Sequence, residues 1–286
     1  MITYLQAIIL GAIQGATELF PVSSLGHSVI IPQILGWNID QNTDFFLNFL
    51  IATHLATSLV LLAFFFRDWM RIIGGIFRSI VRFRIDPADT YAKLGWLLIL
   101  ATIPAGLLGL LLEHRLKLLL ASPIIVSVAL ILNGCLLYCV EFLTHRHEQA
   151  PAGDPDQNIS VLSWKSSLKV GVAQALALIP GFSRTGATLG GGLLIGLSHR
   201  DAARFSFLLA TPIIFAAAVL KVPALIKTGT ADSLNITLAG VIGSAICAFL
   251  SIRYLTKYFE NKTLKPFAGY CIGVGIFALI VLLVRV

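Results

Sequence analysis

Charge is what this chain has least of. Only 12% of its 286 residues are Asp, Glu, Lys or Arg, where a soluble domain carries about 25%. That scarcity, with 57% hydrophobic residues and a mean hydropathy of +0.88, excludes a water-soluble enzyme. Short alternating segments are lacking too, which argues against a transmembrane barrel. No Lys or Arg precedes Arg67. The start therefore lacks a signal peptide's basic region, and residues 1–20 are expected to be mature structure. The 4 cysteines, Cys135, Cys139, Cys247 and Cys271, have no metal-ligand spacing with histidine and are expected to be packing residues. The net charge of +7 comes from basic residues in loops beside apolar runs, a pattern of membrane topology and not of nucleic-acid binding.

What remains is long apolar runs. Six can span a bilayer: 46–66, 94–112, 121–143, 203–220, 236–256 and 266–284, given that about 20 residues are needed. Two further apolar regions are interrupted, 2–36 at Pro21-Val-Ser-Ser and 168–197 at Pro180-Gly-Phe-Ser. Each half is too short to cross, so re-entrant hairpins are expected. Their tips are tolerable only where they are buried in protein or line a wet cavity. The predicted fold is an all-α polytopic membrane protein with six transmembrane helices and two re-entrant hairpins. It forms a single integral-membrane domain over 1–286.

The pattern repeats. Pro21-x-x-Ser24 returns as Pro180-x-x-Ser183, each with a glutamine upstream (Gln14, Gln174) and a glycine downstream (Gly26, Gly186). Leu55-Ala-Thr57 returns as Leu209-Ala-Thr211. Each half, about 1–143 and 166–286, then holds one hairpin and three spans, joined by a polar linker at about 144–165. An odd number of spans makes the halves inverted repeats, which places a site at their interface near the midplane. Arg115, Lys117, Lys221, Lys227 and Arg285 fall on one side. The other basic residues apart from Arg184 fall opposite, on the expected cytoplasmic side. Both termini then face outward. The basic, partly amphipathic segment 67–90 is expected along the inner surface.

Each break carries a charge that hydrocarbon would reject unless it is paired or functional. Ser183, Arg184, Thr185 and Thr188 open a helix after Pro180-Gly181. A helix N-terminus, hydroxyl donors and a permanent guanidinium fork together suit phosphate. In the first break, Gln14 and Glu18 are four apart and share a helix face, and Ser23, Ser24 and His27 follow Pro21. Serine needs a base to become a nucleophile, and His27 is placed to move a proton. Glu18 has three open roles: it can hold a divalent cation with phosphate oxygens, neutralise Arg184 or orient His27. If the two breaks meet, they enclose an anionic headgroup, and an intramembrane site implies a lipid substrate.

On these motifs the chain resembles the undecaprenyl pyrophosphate phosphatase (bacitracin-resistance) family of bacteria. Gln14-Gly-Ala-Thr-Glu18 matches its (E/Q)-x-x-x-E motif, and Phe20-Pro-Val-Ser-Ser-Leu-Gly-His27 its PVSS-x-GH segment. Pro180-Gly-Phe-Ser-Arg-Thr-Gly-Ala-Thr188 matches PG-x-SR-[ST]-x-x-T, and Phe205-Ser-Phe-Leu-Leu-Ala210 is similar to a later segment. The resemblance implies hydrolysis of undecaprenyl pyrophosphate to undecaprenyl phosphate, dependent on Mg²⁺ or Ca²⁺, in the bacterial inner membrane with the site facing outside. It implies Ser24 as nucleophile and His27 as proton-transfer partner. Arg184 becomes the pyrophosphate clamp and Glu18 a metal ligand or charge partner, with Gln14, Ser23, Ser183, Thr185 and Thr188 about the substrate. Gln14 replaces a common glutamate and Leu50 a common acid, so the pattern supplies no second carboxylate there. His54, in the same span as Leu50, matches a common family position and is a candidate polar lining residue. A polyprenyl-phosphate flippase is the alternative reading, and a homodimer is left open.

Overall fold

The computed structural model describes residues 2–41, 43–120, 122–144, 153–228 and 230–284, with side chains left out for 113–120 and 216–228. Among them every regular element is a helix. The first pair is α1 (Tyr4–Leu19) and α2 (Ser24–Ile34), followed by α3 (Asp44–Phe64), α4 (Phe66–Val81), α5 (Thr90–Leu120) and α6 (Pro123–Thr144). Then come α7 (Pro155–Ser160), α8 (Trp164–Gln174), a 3-10 turn at Ala175–Leu178, α9 (Arg184–Leu194), α10 (His199–Thr228), α11 (Ala231–Tyr258) and α12 (Lys265–Val284). Five are long and apolar enough to cross a membrane: Asp44–Phe64, Thr90–Leu112, Pro123–Thr144, Ala231–Tyr258 and Lys265–Val284. The sixth expected run, 203–220, falls in α10, where the side chains beyond Phe215 lie outside the described residues. Large apolar side chains such as Leu110, Leu132, Phe142, Leu250 and Phe277 are exposed on the outer helix faces, as hydrocarbon solvent requires.

Both breaks arise from local chemistry. α1 starts on a capping box between Thr3 and Gln6 and ends where Phe20 turns extended before Pro21, since the residue before proline avoids the helical region. α2 restarts with Ser23 as N-cap, its Oγ accepting from Gly26 N at 3.2 Å. α8 runs to Gln174, tightens into the 3-10 turn and stops at Pro180. α9 restarts with Ser183 as N-cap, its Oγ accepting from Gly186 N at 3.1 Å. The caps therefore pair Ser23 with Ser183, one residue off the proline-based alignment. The second break contains one more residue, Gly181, which sits at φ +105. The first break instead places its left-handed turn in the cap itself, Ser23, at φ +66. With the caps aligned, Ser24 and Arg184 are both the first helical residue after a break.

Small residues let the helices approach backbone to backbone, the packing mode available without water. α1 lies mainly against α11, and a Cβ on Gly11 or Gly15 would fall 2.0 Å from the carbonyl oxygen of Gly240 or Ser244. α8 lies against α5, with Gly171 facing Ala101, and α6 lies against α12. These contacts fix the depth at which the ends of α1 and α8 stand. The described part of the polar linker folds as α7, anchored by Asp156 accepting from Arg204 Nη2 at 2.8 Å. Cys271 is buried as expected, but Cys135 and Cys139 face outward from α6, because they lie on its outer side.

Candidate active site

The two breaks meet. A Cβ on Gly26 would lie 3.4 Å from the Gly181 Cα, and Arg184 Nη2 donates to Glu18 Oε1 at 2.8 Å. Both Glu18 and Arg184 are largely shielded, at 7% and 13% side-chain exposure, so each charge is answered by the other. The second carboxylate oxygen, Oε2, gathers three donors. Ser24 Oγ donates to it in a short contact, Gln14 Nε2 donates at 3.0 Å and His54 Nε2 stands at 3.3 Å. A serine hydroxyl, a carboxylate and a guanidinium thus form one chain across the two breaks.

Two atoms beside this chain have no partner. Arg184 Nη1 and Gln14 Oε1 are buried and unbonded. Such orphans cost about 1–3 kcal/mol each, and they leave a donor and an acceptor free beside Glu18. The backbone N–H groups of the first turns of α2 and α9 add donors, since helix starts lack intrahelical acceptors. The caps use only Gly26 N and Gly186 N.

His27 is brought near but not onto Ser24. Its Nδ1 lies 2.6 Å from Ser23 O and its Nε2 2.9 Å from the Tyr270 hydroxyl, and its ring stacks on Tyr270 at 5.6 Å. A carbonyl only accepts, so Nδ1 carries the proton and Nε2 receives the phenol. The group that meets the Ser24 hydroxyl is Glu18, where His27 was the expected partner. The remaining hydroxyls are committed to protein. Ser23 and Ser183 cap helices, and Ser183 Oγ also reaches Phe20 O at 3.4 Å. Thr185 Oγ1 donates to Glu18 O at 2.9 Å, and Thr188 Oγ1 bonds Arg184 O and Ser206, tying α9 to α10. Ser23, Ser183, Thr185 and Thr188, expected as substrate contacts, cap or brace the starts of α2 and α9 beside Glu18 and Arg184.

Two further residues escaped the sequence reading. Asn133, fully buried on α6, donates from Nδ2 to Pro21 O at 3.1 Å and accepts from Ser183 N at 3.0 Å. One amide braces both breaks. Its signal was available, as a lone amide inside an apolar span. Tyr270 gave no comparable signal, because tyrosine is common near membrane interfaces. Glu141 on α6 is equally buried, but it accepts from Leu264 N at 3.0 Å and faces His199 at 3.0 Å, so it secures the start of α12.

Relatives match the chain nearly end to end. An Undecaprenyl-diphosphatase of Mycolicibacterium paratuberculosis is 44% identical over 305 residues, covering 99% of each chain. Undecaprenyl-diphosphatase 2 of Chromobacterium violaceum is 45% identical over 287 residues, covering 98% of this chain and 99% of the relative. Undecaprenyl-diphosphatase 2 of Burkholderia thailandensis is 45% identical over 273 residues, covering 95% and 94%. The family model for Bacitracin resistance protein BacA matches residues 7–277, and with that span and these identities the chain belongs to the bacitracin resistance protein BacA family.

Proposed function

We propose that this protein hydrolyses undecaprenyl diphosphate to undecaprenyl phosphate and inorganic phosphate, returning the lipid carrier to cell-wall synthesis and conferring bacitracin resistance. The observation that carries the reading is the Ser24–Glu18–Arg184 chain with Arg184 Nη1 unbonded beside it. The terminal phosphate sits between the starts of α2 and α9, where N–H groups and the free guanidinium nitrogen receive its oxygens. Ser24 Oγ attacks the terminal phosphorus while its proton passes to Glu18 Oε2. The bond from phosphorus to the bridging oxygen breaks, and undecaprenyl phosphate leaves. Water then attacks the phosphoserine, and the Ser24 Oγ–phosphorus bond breaks as Glu18 returns its proton to Ser24 Oγ. The water's second proton goes to a phosphate oxygen, and phosphate departs with Ser24 and Glu18 restored. His27, held by Ser23 and Tyr270, lines the wall behind Ser24.

A divalent cation fits only as a bridge to the substrate. Among the described residues no three His, Cys, Asp or Glu side chains are grouped to hold a metal. Glu18 is a single carboxylate, but Gln14 Oε1 beside it is a buried oxygen with no donor. Mg²⁺ commonly uses one or two carboxylates plus substrate phosphates, so Glu18 and Gln14 would hold Mg²⁺ or Ca²⁺ only together with diphosphate oxygens. When bound, the cation would supply neutralisation of diphosphate charge.

The chain is a multi-pass membrane protein whose two helix pairs dip and return, with six crossings arranged as inverted repeats. The matching of α1 on α11 with α8 on α5, around the shared α6–α12 pair, supports that symmetry. The site opens to the outer face of the inner membrane. A flippase would need Arg184, but it leaves the Ser24–Glu18 contact without a purpose. The test is phosphate release from undecaprenyl diphosphate by purified protein in liposomes. Ser24→Ala and Arg184→Ala should each lose at least about 10³-fold in turnover while remaining folded. Lipid movement between leaflets without phosphate release would overturn the reading.

A further inference from the structure

The base Glu18 is held at both ends, and one of its holders comes from neither break. His54 lies on α3. Its Nδ1 is 2.7 Å from Leu50 O and its Nε2 3.3 Å from Glu18 Oε2. Leu50 O can only accept, so Nδ1 donates to its own helix, and Nε2 faces the Glu18 carboxylate as an ion-pair partner. The helix beneath it is pinned. Ser244 Oγ donates to Thr53 O at 2.8 Å, Thr57 meets Ser244 at 3.2 Å and Ser58 Oγ reaches Thr211 O at 3.3 Å. α3 is thereby fastened to both α10 and α11 on either side of His54. The repeat sharpens the point. Leu55-Ala-Thr57 has its counterpart in Leu209-Ala-Thr211, and the residue before it is His54 in the half with the acid and Leu208 in the half with the cation.

We propose that His54 is a positioning residue for the hydrolysis. With Arg184 on Oε1 and His54 on Oε2, the plane of the Glu18 carboxylate is fixed so that Oε2 faces the Ser24 hydroxyl. His54 bonds its own helix and pairs with Glu18, not with the Ser24 hydroxyl, so it acts on the attacking group through the carboxylate. The inference rests on the phosphatase reading of the site, and it adds a third helix to the two breaks that carry the chemistry. Loosening the carboxylate misplaces the base by a fraction of an ångström, which lowers the rate of the chemical step and leaves substrate binding in place.

The experiment is a double-mutant cycle on the full chain, read by phosphate release from undecaprenyl diphosphate. His54→Leu should lower kcat about ten- to hundredfold with KM held within about twofold. His54→Gln keeps an N–H donor toward Glu18 and should recover most of the loss, which shows that the Leu variant did not simply misfold. In a Glu18→Gln background, measured by long single-turnover incubations, adding His54→Leu should cost nothing further, because residues acting as one unit are not additive. An unchanged kcat in folded His54→Leu, a rise in KM alone, or an equal loss in both backgrounds would overturn the proposal. Ser24→Ala separates the two levels. If it retains normal turnover, the phosphatase site itself is misassigned; if it is inactive and the cycle is additive, the site stands and His54 has no positioning role.

Discussion

The two breaks share one design and divide the chemistry. Each has a glutamine on the entering helix, a proline, a serine cap, and three residues on a buried glycine whose N–H donates to that cap. Yet the first places a carboxylate and a hydroxyl at its turn, and the second places leucine and a guanidinium there: Glu18 and Ser24 against Leu178 and Arg184. Gln14 turns inward and bonds Glu18, while Gln174 turns away and donates to Ala101 O at 3.3 Å. Two similar breaks thus supply two facing helix starts, and in the proposed hydrolysis the residues that differ between them would make one the reacting side and the other the binding side. Opposite charges in opposite halves also solve the membrane problem, since each neutralises the other before substrate arrives.

The largest expected effect comes from Gly181, which stands where Pro21 stands in the first break once the glutamines and caps are aligned. A Cβ on Gly181 would stand 2.5 Å from Val126 O and 2.6 Å from the Ala129 Cβ, at φ +105. Gly181→Ala therefore combines backbone strain with overpacking against α6, a loss of about 2–6 kcal/mol. Thermal unfolding in detergent should show a marked drop in midpoint. Gly196→Ala is the control, with φ +96 but nothing within 4 Å, and should show the strain alone.

A smaller effect is expected at the brace between the breaks. Asn133→Leu leaves Pro21 O with only the weak Cys271 thiol donor and Ser183 N without its acceptor. The expected loss is about 2–4 kcal/mol, together with a fall in kcat, because Ser24 and Arg184 would no longer hold a fixed separation. An unaltered kcat would show that the registry of the two starts is set elsewhere.

Much of this was legible in the sequence, and the reasons differ by residue. The breaks were readable because proline and glycine interrupt apolar runs with few alternatives. The Glu18–Arg184 pair was readable because charge inside such runs must be answered. The partner of Ser24 was not. His27 lies three residues on and reads as the natural base on spacing alone, but its Nδ1 is taken by Ser23 O and its Nε2 by Tyr270, while the Ser24 hydroxyl faces back to Glu18 on α1. A one-residue difference in loop length likewise hid the cap register, which only backbone geometry reveals. Asn133 and His54 were visible as polar residues in spans, but their targets lie far off in sequence, and apolar periodicity says nothing about which helix a span will meet.

The smallest contrast is the sharpest test of how the repeat was divided. Gln14 and Gln174 occupy the same place in the two halves, and both leave Oε1 buried and unbonded. If Gln14 serves the site, Gln14→Leu removes a donor to Glu18 and the one free oxygen beside it. Turnover should then fall about tenfold, with a higher concentration of Mg²⁺ or Ca²⁺ needed for half-maximal activity. Gln174→Leu removes only a long bond to the Ala101 carbonyl, so its effect should be confined to about 1 kcal/mol of stability with the cation requirement unchanged. Titrating each variant with the cation, alongside its melting point, reads both quantities. Equal shifts in the cation requirement would mean that the second half keeps a working share of the site, and the division into a reacting side and a binding side would no longer hold.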